Sequence, residues 1–373
     1  MKNKFLLPIV ALFTMATASA ENNIPTWINN VKFSGYTMLQ YQYTGKPKEK
    51  DNTFNIRFTR LTLDGRAGTD WYWKIQLQLN GNTSTLTASP RIVDAFAEWQ
   101  KYEFFRVKVG EFKRGFTFES PMSPIDQGFM GFSQNVSKLS YFSDRVGAIS
   151  SNGRDLGIQA QGDLLKNNAG RNLLHYQVGV YNGQGINTSD VDNRKDIVGG
   201  VWVMPVKGMR LGVFGSEGSY ARKGTWTNEQ GNIVDGVRSL PQHRYAISGE
   251  YIVNDWTFRS EYIHSTGRAF KTTYNSSADA SKCDLNDQIG DKADGVYALA
   301  IAPIVKGKFY AKARYDLYRP SGNWSDAKTN YEVGLNYNFH PNIQLKGEYV
   351  RVNDRSLPTH NYDMIDVQLD FKF

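Results

Sequence analysis

The chain has 373 residues, among them 34 glycines, 21 tyrosines, 21 phenylalanines and 8 tryptophans, and a mean hydropathy of −0.50. No run of about eighteen consecutive apolar residues occurs, which excludes a helix of bilayer-spanning length. The net charge of +8 is spread without a basic run, so nucleic acid is not an expected partner; an anion-attracting lumen and a weakly basic surface both account for it. A single cysteine, Cys283 in SADASKCDLNDQ, excludes an intramolecular disulfide and reads as an incidental residue of a polar loop.

In chain order, Lys2 and Lys4 precede an apolar stretch over 5–15 and the small-residue site Ala18-Ser19-Ala20. That is the pattern of a cleaved signal peptide over 1–20, so 21–373 is expected as one exported domain, either a secreted soluble protein or a bacterial outer-membrane barrel. From there the chain reads with period two, in strands of about ten residues bounded by Gly, Pro, Asn or Asp. The expected strands are 31–43, 57–67, 71–80, 92–100, 104–111, 154–162, 173–182 and 195–204 in the first half. The second half adds 209–217, 244–253, 256–264, 295–302, 308–318, 328–339, 343–352 and 362–373. In WYWKIQLQLN, Trp71, Trp73, Ile75, Leu77 and Leu79 share one face, and Tyr72, Lys74, Gln76 and Gln78 the other. The last strand alternates in the same way up to Phe373, as the closing strand of an outer-membrane barrel does.

Short connections (68–70, 101–103, 205–208, 254–255, 303–307, 340–342) alternate with long polar ones. Short turns on one rim and long loops on the other predict an all-β, transmembrane, antiparallel up-and-down β-barrel of about sixteen strands. Trp27, Trp71, Trp73, Trp99, Tyr251, Trp256 and Tyr337 fall near strand ends, where interfacial aromatics belong. The connection over 112–152 runs to about forty residues, too long to be idle. It is expected either to fold inward as the third loop and narrow the channel, or to cover the mouth or meet a neighbouring subunit.

Several blocks carry a family resemblance: RFTRLTLDGRAGTDWYWKIQLQL (57–79), DAFAEW (94–99), GEFKRGFTFES (110–120), GRDLGIQAQG (153–162) and YNGQGINTSDVDNRKDIVGGVWVMP (181–205). In order and spacing they resemble the phosphate-selective porin O and P family. The resemblance implies a homotrimer of sixteen-stranded barrels in outer-membrane lipid, each passing small anions past a third loop. In the family's type members, phosphate selection depends on a dense ladder of lumen arginines and a cluster of loop lysines, and this chain has a thinner set.

On the expected inward faces, the cations Arg60, Lys74, Arg106 and Lys108 lead toward the long connection, and Lys113 and Arg114 open it. These six form the candidate pore and constriction set. Asp94, Glu98, Glu111 and Glu119 are the candidate loop anchors, Glu119 matching the family's position. Further inward carboxylates, Asp64, Asp155, Glu250, Glu261, Asp316, Glu332 and Glu348, make a wall of mixed sign in which many cations are expected to form salt bridges. A general channel for small hydrophilic solutes with mild anion preference is therefore expected, rather than a phosphate filter. The five histidines lack the spacing of a catalytic set, and the acidic stretches 190–196 and 284–294 lack EF-hand spacing, so neither enzyme, cofactor nor metal site is expected. The competing reading is a barrel that binds an oligosaccharide or partner protein through long loops at 219–242 and 267–294.

Overall fold

A computed structural model describes residues 25, 27–49, 51–80 and 90–373; the expected signal peptide lies outside them. Sixteen strands follow one another: β1 (Ile28–Thr44), β2 (Asp51–Ala67), β3 (Trp71–Gln78), β4 (Arg91–Tyr102), β5 (Phe105–Lys113), β6 (Arg154–Lys166), β7 (Asn172–Tyr181) and β8 (Asp196–Val203). After them come β9 (Met209–Thr227), β10 (Ile233–Val253), β11 (Trp256–Thr266), β12 (Lys292–Val305), β13 (Phe309–Arg319), β14 (Lys328–His340), β15 (Ile343–Asp354) and β16 (Asn361–Lys372). Each pairs antiparallel with its neighbours in sequence, and β1 pairs with β16 (Leu39 opposite Leu369, Gln40 opposite Gln368), closing the barrel. Within the closed ring no strand edge is left, so the ladder hydrogen bonds there are made within the wall, as a strand facing hydrocarbon requires.

Alternation sorts the two faces. Leu39, Ile75, Val109, Ile158, Val213, Ile247, Val333 and Val367 are exposed on the outside, a cost in water that lipid removes. Trp27, Trp71 and Trp256 are exposed with them, as an interfacial belt would have them. One irregularity changes which residues look inward. Between Met38 opposite Phe58 and Leu39 opposite Ile56 the β1–β2 register slips by one, leaving Arg57 as the extra residue of a bulge. Phe58 packs with Tyr36, Met38 and the loop residue Ile125 inside the barrel. Arg57 also turns inward and donates to Gln368 Oε1 at 3.3 Å.

Two expectations need correction here. The segment 219–242 is not a long loop: beyond Glu217 and His243, β9 and β10 continue as a two-stranded hairpin that leaves the neighbouring strands β8 and β11, joined by a turn at 228–232. With no lipid-facing side to keep apolar, this extension lacks the alternation that marks the other strands. Cys283 does lie in a loop, but its surroundings are apolar rather than polar. The segment 267–291, which carries the short helix α2 (Ser277–Ala280), lies on the hairpin, and Cys283 is buried with Val146, Tyr220, Leu240 and Phe270. That apolar surrounding pushes its thiol pKa up.

The lumen and its long loop as the candidate functional site

The segment 114–153 leaves β5 and returns to β6 through the barrel interior. It is held there by an apolar core and by charge. Phe116, Phe118, Phe129, Val136 and Leu139 of the loop are buried against Val198, Phe214, Ala246, Ile263, Tyr297 and Leu299 of β8 to β12. Side chains of this size contribute about 1.5–3 kcal/mol each when fully buried, so the loop has a hydrophobic seat on one side of the lumen. The helix α1 (Gln134–Leu139) sits tightly against the wall at Gly295, where a Cβ would come within 2.7 Å of the Asn135 Cβ. Gly295→Val is accordingly expected to dislodge this part of the loop, read as a raised single-channel conductance and faster proteolysis within 114–153; unchanged values would show that the wall gives way instead.

Loop backbone groups buried in the lumen still need partners, and wall carboxylates supply many of them. Glu261 Oε1 accepts from the backbone N–H of Phe118 (2.7 Å) and Glu119 (2.9 Å), Glu348 from Met130 (2.8 Å), and Asp316 from Gln134 (2.9 Å) at the N-terminus of α1. Wall cations complete the arrangement by donating to loop carbonyls: Arg244 to Leu139, Lys312 to Gly128, Arg314 to Gly131, each at 3.0 Å, and Lys346 to Ile125 at 3.3 Å. The same cations are tied to carboxylates, Arg314 to Glu332 at 2.7 Å, Lys346 to Asp370 at 2.8 Å and Lys312 to Glu348. Arg244 grips Asp144 of the loop through two nitrogens at 2.5 and 3.0 Å. Burial raises the Asp144 carboxyl, but the facing guanidinium together with the Val146 and Tyr141 N–H groups outweighs it and leaves the pKa below the usual carboxylate value.

On the opposite side, between the loop and β2 to β6, a cavity of about 200 Å³ stays open. Arg60, Lys74, Lys108, Lys113 and Arg154 line it, with Asp94 as the lone carboxylate among its lining residues. Lys74 and Arg154 both bind Asp94, at 2.8 and 2.7 Å. Lys108 lies 3.9 Å from Glu98, and Arg60 gives Nε and Nη2 to Gln78 Oε1 at 3.1 and 2.9 Å. Lys113 makes no ion pair among the described residues; its ammonium donates to the Ser120 and Met122 carbonyls at 3.0 and 2.5 Å.

Of the six expected pore cations, Arg60, Lys74, Lys108 and Lys113 therefore meet at one cavity and two do not. Arg114 is buried away from it, bridging Asp155 (3.2 Å) and Asp196 (3.0 Å) with Tyr141 under its guanidinium. Arg106 pairs with Asp163 at 2.6 Å beside His175. Among the expected anchors, Glu119 accepts from Ser133 Oγ at 2.5 Å and lies 3.8 Å from Arg314. Glu111 instead receives the Asn187 N–H at 3.2 Å from the next loop, and Asp94 and Glu98 brace the wall. Sequence reasoning misses Arg57 because a bulge breaks the period, and Arg154 because it sits at the loop-to-strand junction, where alternation is not yet established. It also misses the anchoring by Glu261, Asp316 and Glu348. A signal for the seat exists in the sequence: Val198, Phe214, Ile263 and Leu299 place apolar side chains on a face that should otherwise be wet.

Residues 28–201 match the family described as phosphate-selective porin O and P. The chain has the barrel fold of outer-membrane porins. That span holds the blocks at 57–79, 94–99, 110–120 and 153–162 and most of the one at 181–205, whereas the terminal strand lies outside it. Among solved structures, this chain is similar in fold to Salmonella typhi OmpF in complex with daunomycin, with a TM-score of 0.64 at 13% identity over 94% of this chain and 99% of that one. An anion-selective porin from Comamonas acidovorans gives 0.62 at 14% identity, over 92% and 99%. The trimer form of OmpT, an outer membrane protein of Vibrio cholerae, gives 0.59 at 12%, over 92% and 99%. No curated protein sequence matches this chain.

Proposed function

We propose that this porin is a passive channel for small hydrophilic solutes that favours anions mildly, with the long loop as its constriction. The observation that carries the preference is the cavity between loop and wall, where five cations face one carboxylate. Clustered charge of one sign between low-dielectric walls raises the local concentration of the opposite ion. Mildness follows from how those cations are employed. Lys74 and Arg154 are already matched to Asp94, and Arg60 to Gln78, so few donors are left to replace the hydration shell of a phosphate.

Asp94 and Glu98 act in this reading as spacers that hold the cations apart, and Glu119 as a brace of the loop. Arg57, which makes no ion pair among the described residues, adds a cation to the chamber on the other side of the loop, where Arg314 faces Glu332, Glu348 and Asp366. The chain is further proposed to be exported through its 1–20 leader and to assemble as a homotrimer. An outward apolar groove formed by Leu39, Tyr41, Phe54, Ile56, Leu345, Val367 and Leu369 is a suitable place for a neighbouring barrel.

Reversal potentials across a planar bilayer under a potassium chloride gradient test the reading directly. A potential on the chloride side of zero is expected, whereas a potassium-side potential would overturn anion preference, and a barrel that never opens would overturn the channel.

A further inference from the structure

We propose that the solutes this cavity selects are organic anions that carry an apolar or aromatic portion beside a carboxylate, taken in preference to inorganic phosphate. The inference rests on the anion-preferring reading above and assigns it a substrate class.

The cavity has two chemistries on its surface. Beside its cations stand Phe96 and Phe112 from the wall and Pro121, Met122 and Pro124 from the loop. An aqueous passage for a compact, fully hydrated ion has no use for such a surface, because leaving it wet costs free energy that a solute's own apolar part would recover. Methionine is the side chain best able to adapt to differently shaped apolar solutes.

Lys74 and Arg154 converge on Asp94, but the other three cations stand beside rings. Lys108 Nζ is 5.0 Å from the centre of the Phe96 ring and 5.3 Å from that of Phe112. Lys113 Nζ is 5.2 Å from Phe132 and 5.1 Å from Phe142, and the Arg60 guanidinium 4.4 Å from Phe58. Each is within the reach of cation–π attraction, and at Lys108 the rings are Phe96 and Phe112 of the cavity surface itself, which sets charge beside an apolar face. A carboxylate joined to a ring or short alkyl chain meets both surfaces in one pose. Phosphate meets only the charges, and its further negative charge at neutral pH is set against Asp94, which Lys74 and Arg154 hold in place.

The test is block of the chloride current through the porin in a planar bilayer at neutral pH by sodium benzoate, sodium acetate or sodium phosphate. Benzoate is expected to halve the current at a concentration about fivefold below that of acetate or phosphate, the scale of one partly buried aromatic contact. Phe96→Ser and Met122→Ser should each bring benzoate toward acetate. Phosphate or acetate blocking as well as benzoate would overturn the proposal while leaving anion preference standing. A wild-type channel that is cation-selective would overturn the underlying reading as well, so the two failures are distinguishable. Should either variant fail to fold, the comparison of the three salts on the wild-type channel decides alone.

Discussion

Lys74→Glu combined with Lys108→Glu is expected to turn the reversal potential of the channel from the chloride side toward the potassium side. The double substitution changes the cavity from five cations facing one carboxylate to three facing three, with Glu98 adding a further negative charge near position 108. Two unit charges at 4 Å interact by about 1 kcal/mol even in bulk water, and by more between low-dielectric walls. Two reversals therefore bring a change of about tenfold or more in the permeability ratio within reach. Lys74→Gln with Lys108→Gln, which removes charge without reversing it, should move the potential part of the way. Identical potentials for wild type and both doubles would show that selection occurs elsewhere in the lumen. High salt should shrink the difference, because ions within the passage screen charges that line it.

The second large effect is expected at Arg314. Its guanidinium binds Glu332 through Nε at 3.1 Å and Nη2 at 2.7 Å, donates to the Gly131 carbonyl, approaches Glu119 and lies over the Phe129 ring. Arg314→Leu removes all of this and leaves buried carboxylates facing one another without a counter-charge. Breaking such a buried pair from one side costs about 3–5 kcal/mol. The loss falls on the contact that pins the middle of the loop, so the loop should detach before the barrel opens. Single-channel conductance should rise and become noisier, protease cleavage within 114–153 should accelerate, and the folded barrel should persist. Arg314→Lys should rescue little, since an ammonium does not reproduce the two-nitrogen grip. Adding Glu332→Gln to Arg314→Leu should recover part of the loss by removing one stranded charge. A loop that stays closed and protected in Arg314→Leu would assign the anchoring to the apolar seat under Phe116, Phe118 and Phe129.

The two substitutions probe opposite sides of one asymmetric lumen. On the β10 to β16 side, cations such as Lys312, Arg314 and Lys346 are consumed by carboxylates and by loop carbonyls. On the β2 to β6 side the loop stands off and cations line open space. The overall charge of the chain reveals neither arrangement. A carboxylate that neutralises a neighbour and one that holds a loop N–H are the same residue type in the same strand pattern.

Much of the barrel is legible in the amino-acid sequence alone. Each of the sixteen strands lies where period-two alternation places it, because a strand between lipid and water must keep one face apolar and the other wet along its whole length. The limits of that signal explain the departures. At Arg57 a bulge shifts the period by one residue. Beyond Glu217 and His243 the β9–β10 hairpin leaves the membrane zone, and the constraint that writes the pattern ends there. Arg114, two residues before Phe116 in the loop, has no strand period to orient it, and the buried pair Asp155 and Asp196 captures it instead of the cavity.

What the sequence determined by itself is the strand count, the up-and-down order, the sidedness of turns and loops, and the existence of one long connection between two of the strands. All are set locally, by alternation and by turn residues. Only the tertiary structure decided which lumen charges remain available to a solute. That depends on where the loop 114–153 comes to rest, and its seat is built by residues from β8 to β16, more than a hundred positions away in the case of Glu261, Asp316 and Glu348. Contacts so distant in the chain leave no period to read, so the side of the lumen that keeps its charges open emerges only when the wall has closed around the loop.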